Sequence, residues 1–103
     1  MSRSRLELQK YLEDLLGSRQ VYFQPPASIQ MKYPAIVYSK KDIMSVHADD
    51  SKYSKCNCYE VIVIDKKPDN ETIEKILLTF LYSIFDRHYK ADNLNHDVLI
   101  IYY

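Results

Sequence analysis

Three stretches of this chain, Ala35 to Tyr38, Val61 to Ile64 and Val98 to Ile101, are apolar at every consecutive position. Side chains alternate across a strand, so such runs put apolar groups on both faces of a sheet, and both faces then have to be covered. Two segments with helical patterning are available as cover. If they take opposite faces, the monomer closes its own core. If they share one face, the other is left to a partner, and a ring of identical subunits supplies one. At 103 residues the chain reads as one domain, residues 1–103, with a single modest core.

The first helix is announced by Ser4 and Glu7 as a capping box, with Leu8, Tyr11, Leu12, Leu15 and Leu16 at helical spacing until Gly17 stops the run. Val21 to Gln24 reads as a short strand ended by Pro25 and Pro26, and Pro34 to Ser39 as a second. Ile43 to His47 is a weaker strand, Asp49 to Ser54 a polar turn, and Lys55 to Asp65 a strand long enough to cross a sheet. Pro68, Asp69 and Asn70 introduce a second helix over about Glu71 to Phe85, and His96 to Tyr103 is the last strand. The expected fold is α+β: an N-terminal helix, an antiparallel or mixed sheet of about four to five strands, a second helix and a C-terminal strand. On helix two, Ile73, Ile76, Leu77, Phe80, Leu81 and Ile84 form one apolar stripe, while Leu78, Tyr82 and Phe85 form another on a different side. The second stripe is the candidate interface.

Composition excludes several classes of function. Basic and acidic residues balance at 14 each, which disfavours autonomous nucleic-acid binding, since phosphate recognition shows as a basic excess or stripe. Lys40 with Lys41, and Lys66 with Lys67, read as solvated strand ends. The N-terminus carries arginines without an apolar export segment, and no stretch has the roughly 20 apolar residues that span a bilayer; a cytoplasmic site of synthesis is expected. Gly17 is the only glycine, so phosphate-cradling loops, dinucleotide fingerprints and nucleophile elbows cannot be built. No cofactor is expected. Ten Tyr and no Trp suit packed or partner-facing surfaces. Cys56 and Cys58, two apart on a strand, read as reduced packing residues; a zinc site would need further ligands such as His47 and His96.

The segment Phe85 to Tyr103, FDRHYKADNLNHDVLIIYY, reads as a polar loop feeding the last strand. It concentrates Asp86, His88, His96 and Asp97, and two readings compete for them. Imidazole and carboxylate are natural metal ligands and proton carriers near neutral pH. Asp and Asn also satisfy turns through side-chain to backbone hydrogen bonds. The second reading is preferred; the first leaves a small metal-dependent hydrolase using Asp86, His88, His96 and Asp97 as the alternative from a different class.

The motif DRHYKADNLNHDV at Asp86 to Val98, with VYFQPP at Val21 to Pro26 and YPAIVYS at Tyr33 to Ser39, resembles the tail terminator or tail completion proteins of tailed bacteriophages. The resemblance runs from Leu6 to Tyr103 in register. Cys56, Cys58 and the apolar run LLTFLYSIF at Leu77 to Phe85 depart from the pattern. The resemblance implies a non-enzymatic virion protein forming a ring, a hexamer in the family, that caps the tail tube at its head-proximal end. Its implied partners are further copies of itself, the major tail tube protein and a head connector or head-completion protein. A different neck part, such as a head-closure protein, is the second alternative. No catalytic residues come with this resemblance.

Overall fold

A computed structural model describes residues 5–45 and 55–103. The elements run α1 (Arg5–Leu16), β1 (Val21–Phe23), β2 (Ala35–Ser45), β3 (Lys55–Asp65), α2 (Thr72–Thr79), β4 (Ser83–Ala91) and β5 (Leu94–Tyr102). The strands form one sheet in the order β1-β2-β3-β5-β4. β1 runs parallel to β2, and every other neighbouring pair is antiparallel. The fold is therefore α+β with a mixed five-stranded sheet.

Both helices lie on one face of the sheet. Leu8 and Leu12 of α1 and Ile76 of α2 share a core with Ile36, Tyr38, Tyr59, Val61, Val63, Leu99, Ile101 and Tyr103, which are alternate positions of β2, β3 and the end of the chain. The intervening positions, among them Cys58, Ile62, Ile64, Val98 and Ile100, point the other way. Among the described residues neither helix reaches that opposite face. Val98 and Ile100 are nonetheless buried, as are Ala35, Cys58 and Ile64 on the same face. Of the two ways to cover a doubly apolar sheet, the chain adopts the one that leaves a face without a helix.

A polar ladder fixes α1 onto the sheet. The Tyr38 hydroxyl donates to Gln9 Oε1 at 2.6 Å and accepts from Arg5 Nη1 at 3.2 Å. Gln9 Nε2 in turn donates to the Val21 carbonyl at 2.9 Å. Burial pushes the Tyr38 phenol above its ordinary value, partly offset by Arg5, so it serves as a neutral donor within the core. Burial likewise raises Tyr59.

Several sequence expectations change. The strands expected at Pro34 to Ser39 and Ile43 to His47 form one strand over Ala35–Ser45, bent by a register shift between Lys40 and Asp42; such bulges let a long strand continue through a kink. Ser4, His47 and the Asp49 to Ser54 turn lie outside the described residues. Helix two ends at Thr79 instead of Phe85. Phe80 has extended backbone, and its N–H closes the last helical turn on the Ile76 carbonyl. The segment read as a loop is a β-hairpin, β4 and β5, turned by Asp92 and Asn93 at φ 53° and 63°. A two-residue turn with both central φ positive matches the right-handed twist of the paired strands, and Asp and Asn tolerate it.

β5 holds both β3 and β4, so deleting Val98 to Tyr103 removes most of an inner strand and strips β4 of its partner. At about 1.5 to 3 kcal/mol per buried large side chain, the loss of Val98, Leu99, Ile100 and Ile101 equals the whole stability of a small domain. The truncated chain is expected to show no cooperative thermal transition by circular dichroism.

Candidate functional site

Hairpin alternation decides where the four candidate acid, base and metal-binding residues point. His88 lies opposite Asp97, and Tyr89 opposite His96. Asp97 shares its face with Leu99 and Ile101, the helix-bearing face, and His88 Nδ1 donates to Asp97 Oδ1 at 2.5 Å. His96 occupies the opposite face and stacks on Tyr89, ring centroids 4.6 Å apart and planes within 10°. Asp86 sits at the register shift in β4 and pairs with Arg87 at 2.5 Å. The backbone therefore divides the cluster: His88 and Asp97 meet on one face, while His96 belongs to the other.

The His88–Asp97 pair has the form of a carboxylate-oriented imidazole. Asp97 is buried and the His88 side chain is 40% exposed. An ionised carboxylate only accepts, so Nδ1 carries the proton and Nε2 is the nitrogen left to act as a base. Nucleophilic catalysis needs a hydroxyl or thiol within hydrogen-bond reach of that nitrogen, and among the described residues none is bonded to it. What the pair does visibly is join the edge strand β4 to the inner strand β5 and satisfy a buried carboxylate. Removing the imidazole leaves Asp97 short of a partner, so His88→Ala is expected to lower stability by about 1 to 3 kcal/mol in denaturant titrations.

Other polar residues at this end of the sheet serve turns. Asp65 accepts from the Lys66 and Lys67 amides and from Asn70 Nδ2; Asn70 Oδ1 accepts from the Thr72 amide and so starts α2. Asn95 Nδ2 donates to the Lys66 carbonyl. Among the described residues no three His, Cys, Asp or Glu side chains converge as a metal site. Cys58 is buried, and His47 lies outside the described residues. With His88 and His96 on opposite faces, calorimetry with Zn²⁺ and Mn²⁺ is expected to show no micromolar binding. Binding that disappears in His88→Ala/His96→Ala would reinstate the metal-dependent alternative.

The most distinctive surface lies where α2 gives way to β4. Leu78 is 87% exposed, Leu81 85% and Tyr82 65%, and Ile84 and Phe85 are about half exposed. These residues do not form the helical stripe expected from sequence: Leu78 is on α2, Tyr82 in the connection and Phe85 on β4. Leu81 and Ile84, expected beside Ile73 and Ile76 in the core stripe, are exposed as well. Ile76 and Phe80 alone of that stripe are fully buried. The Tyr82 carbonyl accepts from the Tyr102 amide at 2.9 Å, which ties the segment to β5 while its side chains remain in solvent. So much adjacent large apolar surface on a small domain marks an interaction site. Sequence periodicity found the residues and missed their arrangement; the Asp92-Asn93 turn was the signal for the hairpin.

Among the described residues no helix is long and apolar enough to cross a membrane. Neither protein-family models nor curated protein sequences match the chain.

Proposed function

We propose that this chain is a structural virion protein of a tailed bacteriophage, a tail terminator or tail completion protein. Copies of it form a ring, of six by family resemblance, at the head-proximal end of the tail tube. There the ring meets the tube protein on one side and the head connector on the other. The observation that carries this reading is the exposed apolar segment Leu78 to Phe85, joined to an edge strand whose only strand partner among the described residues is β5. A surface of this kind costs solubility in a solitary monomer and is expected where a second chain covers it. The division of His88 and His96 between faces supports the structural reading over the metal-dependent alternative.

The test is the paired substitution Leu78→Lys and Tyr82→Glu, which leaves net charge unchanged. Both side chains stand in solvent, so the variant is expected to keep its circular dichroism and melting temperature while losing ring formation and the joining of tails to heads. An unfolded variant would show that these residues close the core, since buried charge costs several kcal/mol. A folded variant that joins tails normally would make the segment inert surface.

A further inference from the structure

We draw no further inference here: the strongest candidate, the exposed apolar patch of Leu78, Leu81, Tyr82, Ile84 and Phe85 where α2 gives way to β4, already carries the proposed function, and nothing in the structure shows what covers it.

Discussion

The placement of both helices on one face of a doubly apolar sheet is the constraint on which the rest of the molecule depends. Leu8, Leu12 and Ile76 bury themselves against the alternate residues of β2, β3 and β5, and Arg5, Gln9 and Tyr38 hold α1 in register with the strands beneath it. The short α2 covers the β4 side of that face and ends at Thr79. The chain then has to return along β5 as β4, and it does so as an edge strand with large apolar residues on its approach. Leu81 in the connection and Ile84 on β4, which fit the core stripe of a longer helix, are exposed.

How much of this was legible in the sequence depends on which interactions are local. Gly17, at φ 82°, stops α1 where its sequence said it would, because a positive φ is a property of one residue. β3 runs over Lys55–Asp65 as its β-branched and aromatic content indicated. The segment from Phe80 to Ala91 is different. Its apolar residues fit helical spacing as well as they fit a strand, and the choice is made by main-chain pairing with β5 across a two-residue turn. Asp92-Asn93 carries that information, since Asp and Asn are residues able to sit at positive φ. The same hairpin explains why the His and Asp cluster looked like one site: in sequence His88 and His96 are close, and in a hairpin they fall on opposite faces.

The exposed apolar residues between Leu78 and Phe85 stand apart from the buried core. They do not stabilise the monomer. Leu78, Leu81 and Tyr82 in solvent gain nothing from the hydrophobic effect. Apolar side chains that leave folding unaided are most simply explained by contact with a second chain, and the proposed tail-terminator role would give a ring of such subunits a task.

The most direct measurement of the central claim is hydrogen–deuterium exchange along the chain, compared between dilute free protein and the protein assembled on tails. The account predicts slow exchange in β3 and β5 in both states. It also predicts that the amides β4 turns away from β5, with those of Leu81 and Tyr82 in the connection, exchange rapidly when free and slowly when assembled. Exchange in residues 78–91 that is the same in the two states, with new protection confined to other parts of the chain, would contradict it.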